Sequence, residues 1–318
     1  MLVNILEPDD YSKTAISTYK KLGEIITGEC QAERKSAVNI LVVRLSHQLD
    51  AAYLTPYSEL VAIASPTTGL NHIDIDYCQA RNIQIYSLQQ RRSAIDEVTS
   101  TSELTFGLML SLLRKIPAAH HHVVHQHQWN RDAFKSRQLS ERILGLIGIG
   151  RIGSHMAAYA QAFGMRIIAY DPHVDESRFS QLGLERVDLE SLCQRSDIIS
   201  VHASQRDDNR HLIGDREIRW MKRDTLLINT ARGSLIDEKA AADALREYRL
   251  GGVACDVLEH EIEQDVLFPG CSHLCQAADA GFNVILTPHI GGCTKDAMQI
   301  TEDIIADYVY SELSKGHG

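Results

Sequence analysis

Leu144-Gly145-Leu146-Ile147-Gly148-Ile149-Gly150-Arg151-Ile152-Gly153-Ser154-His155-Met156 is the stretch from which the rest of the chain can be read. An apolar run enters a Gly-x-Gly-x-x-Gly turn and leaves through Met156-Ala157-Ala158-Tyr159-Ala160, a composition that favours helix, so the glycines sit where a strand gives way to a helix. Gly148 permits the tight turn, Gly150 lets the backbone approach a pyrophosphate, and Gly153 lets the helix pack closely on the strand. The amides of the helix start, at Arg151 and Ile152, attract the phosphates. Outward from there, a second strand at 165–170 ends at Asp171, about twenty residues past the glycines, where a carboxylate accepts hydrogen bonds from a ribose diol. This arrangement predicts NAD, in preference to NADP, as the cofactor.

The rest of the composition bounds the answer. The chain has 318 residues, 44% of them hydrophobic and 23% charged, which is an ordinary globular protein with room for two domains. No basic segment followed by an apolar one opens the chain, and its apolar runs are short. Neither a signal peptide nor a membrane-spanning helix is therefore expected, and a cytoplasmic location follows by default. A formal net charge of -10 argues against nucleic acid and acidic membranes as partners, because both demand concentrated basic charge. Seven cysteines without paired spacing read as reduced thiols. Cys271-Ser272-His273-Leu274-Cys275 lacks a second ligand pair and reads as a loop without metal. His120, His121, His122, His125 and His127 lack acidic or cysteine partners, so no metal is expected there either.

Before the glycine turn, apolar runs at 2–6, 24–26, 38–43 and 60–64 alternate with an amphipathic stretch at 11–22, the pattern of a small parallel-sheet α/β unit separate from the nucleotide fold. Within it, Ser65-Pro66-Thr67-Thr68-Gly69-Leu70 joins turn formers to small residues after a strand. The amides of Thr67, Thr68 and Gly69 either converge on an anion or form a simple turn. Residues 102–114 are strongly apolar and read as a long buried helix, ending before Pro117 and crossing from one domain to the other. Beyond Asp171, runs at 197–202, 225–229, 252–257 and 283–287 read as parallel strands, with a helix over 237–248. Arg232, then Asp256 and Glu261, then His289 follow the last three of these strands. Ligands of open parallel sheets bind beyond the carboxyl ends of the strands, so these groups can meet at one site.

On Thr67-Thr68-Gly69-Leu70-Asn71-His72-Ile73-Asp74, Ser102-Glu103-Leu104-Thr105-Phe106-Gly107, the glycine turn, Asn229-Thr230-Ala231-Arg232-Gly233, Ala254-Cys255-Asp256-Val257 and Thr287-Pro288-His289-Ile290-Gly291-Gly292, the chain resembles the D-isomer-specific 2-hydroxyacid dehydrogenases, in their 3-phosphoglycerate dehydrogenase-like branch. The resemblance implies an α/β protein in which a Rossmann, doubly wound parallel-sheet domain at 99–290 is inserted in a flavodoxin-like substrate domain built from 1–98 and 291–318. It implies an NAD-dependent oxidoreductase acting between a D-2-hydroxy acid and its 2-keto acid, with Arg232 binding substrate, His289 as acid/base and Glu261 as the carboxylate paired with it. Asp171, His202, Thr230, Ala231 and Asp256 would join Gly148, Gly150, Arg151, Ile152 and Gly153 in holding NAD. A homodimer formed through the NAD-binding domain is implied as well.

Arg44 and Arg131 match basic positions of the phosphoglycerate-type relatives and imply a phosphate or second carboxylate on the substrate, beside a first carboxylate on the amides of Thr67, Thr68 and Gly69. Two solvated surface arginines are the other reading. The chain departs from the family at Ser204, where proline is usual two positions after the histidine matched by His202, at Ser65, where some phosphoglycerate enzymes carry arginine, and at Ile262, where proline is common. Glu259, two residues from Glu261, is therefore a second candidate for the partner of His289. The alternative function is an NAD-sensing, corepressor-like protein that keeps the same fold, which steady turnover of a 2-keto acid would exclude.

Overall fold

The computed structural model describes residues 1–261 and 272–315; Cys271 and Ile262 lie outside them. It divides into two compact units, Met1–Val98 with Cys293–Gly318 and Thr99–Gly292.

The first unit is a five-stranded parallel sheet of β1 (Leu2–Ile5), β2 (Glu24–Thr27), β3 (Ile40–Val42), β4 (Ala62–Ser65) and β5 (Gln84–Ser87), in the order β2-β1-β3-β4-β5. This is the flavodoxin-like order. Alternate residues of one strand face opposite layers, and both layers are covered. Val3, Ile5, Ile40, Val42, Ala62 and Ala64 pack with Ile305 and Val309 of the helix Lys295–Ser314, while Leu2, Leu41, Val43 and Ile63 pack with Leu54 and Tyr57 on the other side. Burial of both faces is why β1, β3 and β4 read as continuous apolar runs. The edge strand β5, with only Ser87 buried, lacks such a run and gave no signal.

The second unit is a seven-stranded parallel sheet of β6 (Ile143–Ile147), β7 (Arg166–Tyr170), β8 (Glu185–Arg186), β9 (Ile198–Val201), β10 (Leu226–Asn229), β11 (Gly252–Cys255) and β12 (Val284–Leu286). Its order is β12-β11-β10-β9-β6-β7-β8, so the direction of winding reverses between β6 and β9, the crevice where doubly wound sheets take dinucleotides. The helix Ser100–Leu113 lies wholly in this unit, packed on β10, β11 and the helix Arg151–Ala162, and does not cross between units as its sequence suggested. Its Met109 and Leu112 are fully buried, each contributing about 2 kcal/mol by removal from water. It stops where Lys115 adopts a left-handed conformation, φ 51°, and a new helix, Ile116–Val124, begins with Pro117 in its first turn. Ser272 and His273 belong to no loop, contrary to the sequence reading. Ser272 caps the helix His273–Asp279 by accepting from the Leu274 and Cys275 amides. No described helix is long and apolar enough to cross a membrane.

Candidate functional site

The exit of β6 is shaped by its three glycines in three different ways. Gly148 has φ +91°, and a Cβ there would lie 2.8 Å from the Ala203 nitrogen, because the β9 exit passes directly against it. A Cβ on Gly153 would fall 2.2 Å from the Gly148 carbonyl oxygen, which closes helix onto turn. Gly150 caps the helix Arg151–Ala162, and a Cβ there would meet nothing within 4 Å. Open space therefore stands over the helix start, whose first amides have no partner within the helix. The Ile152 side chain packs into the core, so what it offers the open side is backbone.

At the β7 exit, Asp171 accepts the Ile149 amide on Oδ2 and the His173 amide on Oδ1, both at 3.0 Å. Each carboxylate oxygen keeps a further lone pair for a diol hydroxyl. A cavity of about 520 Å³ opens beside it, lined by Tyr170, Asp171, Pro172, Val187 and Asp188 among others. His202, at the end of β9, takes the Ser200 hydroxyl at 2.8 Å, and burial pushes its pKa down to about 3, so the ring stays neutral. A cradle open at Gly150, a carboxylate with spare acceptor capacity and an adjoining cavity fit a dinucleotide.

Three strand exits supply the reactive groups. After β10, the Asn229 side chain wraps its own turn, donating to the Arg232 carbonyl at 2.8 Å and accepting the Ala231 amide at 3.0 Å. The Thr230 hydroxyl turns inward to the Thr105 hydroxyl, 2.7 Å away. Arg232 donates to the Ala231 carbonyl at 2.6 Å; burial lowers its pKa and the Glu261 charge opposes that, so the guanidinium remains a fixed cation.

After β11, Asp256 is buried and takes three donors: the Thr287 hydroxyl and Ile290 amide on Oδ1 at 2.5 and 2.8 Å, and the Gly291 amide on Oδ2 at 2.7 Å. Burial raises its pKa against those donors, and Oδ2 keeps room for one more. The backbone of His289 adopts φ 54°, held by its amide on the Asp256 carbonyl at 2.8 Å. Its Nδ1 lies 2.8 Å from Glu261 Oε1, while Glu261 Oε2 accepts the Leu258 amide at 3.1 Å. Glu259 points elsewhere, to Arg210 at 2.5 Å and His211 at 3.1 Å. Between the two carboxylates, the geometry joins Glu261 to the histidine.

The remaining candidates behave differently. In the first unit, the Thr67 hydroxyl bridges Ser65 at 2.8 Å and the Gly69 carbonyl at 2.7 Å. Among the described residues, the amides of Thr67, Thr68 and Gly69 meet no acceptor. Arg44 is not the available cation the sequence suggested: its guanidinium grips the buried Glu302 at 2.6 and 2.8 Å, donates to the Asp9 carbonyl and lies over the Tyr11 ring. The partner is 258 residues away, so no local pattern could show it. Arg131, with 94% of its side chain exposed on the turn Arg131–Phe134, is a solvated arginine. Sequence reasoning also missed Asn229 as the organiser of the arginine loop, since a polar residue ending a strand carries no linear sign of which turn it closes.

Residues 106–291 match the model of the family described as D-isomer specific 2-hydroxyacid dehydrogenase, NAD binding domain. The chain belongs to the D-isomer-specific 2-hydroxyacid dehydrogenases. Among these dehydrogenases it is 33% identical over 318 residues to a D-3-phosphoglycerate dehydrogenase of Methanocaldococcus jannaschii, covering 98% of this chain and 58% of that relative's length. It is 31% identical over 315 residues to a hydroxypyruvate reductase of Thermotoga maritima, covering 98% of both chains. A crystal structure of D-lactate dehydrogenase from Aquifex aeolicus, in complex with NAD and lactic acid, superposes with a TM-score of 0.83 at 25% identity, covering 99% of this chain and 96% of the other. The second unit is thus the NAD-binding domain of a member of this dehydrogenase family, and its cofactor class is NAD.

Proposed function

We propose that the protein interconverts a D-2-hydroxy acid and its 2-keto acid, with Arg232, Glu261 and His289 as its reacting groups. The observation that carries this reading is the 2.8 Å contact of His289 Nδ1 with Glu261, in the same unit as the half-buried Arg232 cation. NAD, when bound, supplies or takes the hydride. In the reducing direction the carbonyl carbon gains a hydride and its oxygen a proton. With Nδ1–H on Glu261, the proton donor is the opposite nitrogen, Nε2. Arg232 can hold a carboxylate and a carbonyl oxygen together through parallel N–H bonds, which orients the acid and stabilises developing negative charge.

Gly148, Gly150, Arg151, Ile152 and Gly153 would face the pyrophosphate, Asp171 the ribose diol and His202 the adenosine half, with Thr230, Ala231 and Asp256 at the nicotinamide. The unpartnered amides of Thr67, Thr68 and Gly69 are proposed to receive the substrate carboxylate. The engagement of Arg44 with Glu302 supports a substrate without a phosphate at that position.

A homodimer through the NAD-binding domain is part of the proposal, supported by Ile116, Val123, Val124 and Trp129, large apolar side chains exposed on and just after one helix of that unit. Sedimentation equilibrium checks it, and a monomer at micromolar concentration would overturn it. The function is tested by following NADH oxidation with glyoxylate, hydroxypyruvate, pyruvate, 2-oxoglutarate and phosphohydroxypyruvate. Steady turnover of at least one is expected, falling roughly a hundredfold in Glu261→Gln and little in Glu259→Gln. No turnover of any of the five would sink the assignment in favour of a sensing role.

A further inference from the structure

Glu238 is a buried carboxylate with no part in the chemistry above, and its two oxygens are divided between two segments of chain. One accepts the Glu259 amide and the other the Ser272 hydroxyl, each at 2.7 Å. Glu238 opens the helix Glu238–Arg246, yet that helix is already capped by Asp237, which accepts the Ala240 amide. Its side chain is therefore free to act away from its own helix.

The two segments it joins carry the two halves of the acid/base pair. Glu259 lies in the turn at 258–261, closed by the Glu261 amide on the Leu258 carbonyl and by the Leu258 amide on the Glu261 carboxylate. That turn presents Glu261 to His289. Ser272 caps the helix His273–Asp279, from which the chain continues through β12 to His289. The same turn is pressed against the arginine loop, where a Cβ on Gly233 would lie 2.0 Å from the Leu258 carbonyl carbon. Its second anchor is the Glu259 side chain on Arg210 and His211, whose segment is tied to that loop by the His211 amide on the Ser234 carbonyl at 2.7 Å.

We propose that Glu238 is a positioning residue: it fixes the turn that carries Glu261, and so the Glu261–His289 contact, without touching substrate or cofactor. Hydrogen bonds to an ionised acceptor are stronger than neutral ones, which suits a carboxylate to tie backbone to cap. The inference rests on the acid/base reading of that pair, but its first readout does not.

Three variants of the full chain test it. In Glu238→Gln the amide oxygen still accepts from the Glu259 amide, the bond that holds the turn carrying Glu261. Glu238→Ala loses both bonds. Ser272→Gly loses one, and glycine caps a helix nearly as well as serine. The readouts are the exchange-protected Nδ1 proton of His289 by NMR, identified by its absence in His289→Asn, and the split between kcat and KM.

In Glu238→Ala the proton signal is expected to be lost to solvent exchange and kcat to fall roughly tenfold with KM for NADH unchanged, the pattern of a displaced reacting group. Glu238→Gln should restore both, and Ser272→Gly should weaken the signal partly. A folded Glu238→Ala with the parent signal and kcat would overturn the proposal, as would a Glu238→Gln that is equally damaged. If Glu238→Ala does not fold, an unchanged signal in Ser272→Gly overturns it. A wild-type chain that reduces no 2-keto acid, yet shows the signal and loses it in Glu238→Ala, would keep the positioning role and refute the assigned reaction.

Discussion

Gly150→Ala should separate cofactor binding from folding. The Cβ at this position meets nothing within 4 Å, and its φ of -67° suits any residue. Alanine caps a helix less well than glycine, by about 0.5–1 kcal/mol, but it also narrows the unfolded ensemble by about 0.4–1 kcal/mol. The two nearly cancel, and stability without cofactor should change by less than about 1 kcal/mol. The methyl group instead occupies the open space over the helix start. Displacing the pyrophosphate from one charge-assisted amide contact costs about 1.5–3 kcal/mol, or roughly a 10- to 150-fold rise in the dissociation constant of NADH. Gly153→Ala is the contrast: its Cβ would sit 2.2 Å from the Gly148 carbonyl oxygen, so the backbone must shift, at about 1–3 kcal/mol whether or not NADH is present. Urea unfolding without cofactor and NADH fluorescence titration read the two quantities apart. Parent-like NADH affinity in Gly150→Ala, or a loss of stability equal to that of Gly153→Ala, would show that the dinucleotide does not lie over this helix.

Asp171→Ala should narrow the preference for NADH over NADPH, measured by titrating both, because the carboxylate that repels a 2′-phosphate is gone. His202, whose folded pKa is about 3 against an ordinary value near 6.5, contributes stability present above about pH 6.5 and lost as the pH falls toward 3. Between pH 7.5 and 5 the parent should lose about 2 kcal/mol more than His202→Asn in urea unfolding, and equal losses would refute the burial account. Arg44→Ala leaves the buried Glu302 without its cation and should cost about 3 kcal/mol at pH 7. The cost should shrink at pH 5, since burial already raises the Glu302 pKa and protonation then removes the orphan charge.

The parts of this protein legible in sequence are those whose physics is local. A strand covered on both faces must be a run of apolar residues, so β1, β3, β4, β6, β9 and β10 announced themselves. The edge strand β5 is partly solvated and the two residues of β8 are both exposed, so neither carries such a run. The glycine turn was readable because each glycine answers a steric demand within a few residues or at the neighbouring strand exit. What could not be read were partnerships across long separations. The basic position at Arg44 implies a substrate anion, yet its guanidinium is held by Glu302 from the far end of the chain, and nothing in the linear order ties Glu238 to Glu259 and Ser272, the donors on its two oxygens. The resemblance favours Glu261 but leaves Glu259 open as the partner of His289, and the direction of the turn between them sends Glu261 to His289 and Glu259 to Arg210.

The left-handed backbone of His289 bears on how an inactive form of the protein should be made and on what its ancestors could have tried. An ordinary residue at φ 54° costs about 1–2 kcal/mol, a penalty that asparagine largely escapes. Alanine or glutamine at 289 would remove the imidazole and also load the Asp256 cage with that backbone cost, mixing two effects in one measurement. Asparagine removes the ring and leaves the cage at rest. The same constraint makes this position a narrow gate for evolution: a β-branched or bulky replacement acid must overcome the backbone before its chemistry can be selected, so drift at residue 289 should run through asparagine or glycine, toward silence and away from a different catalyst.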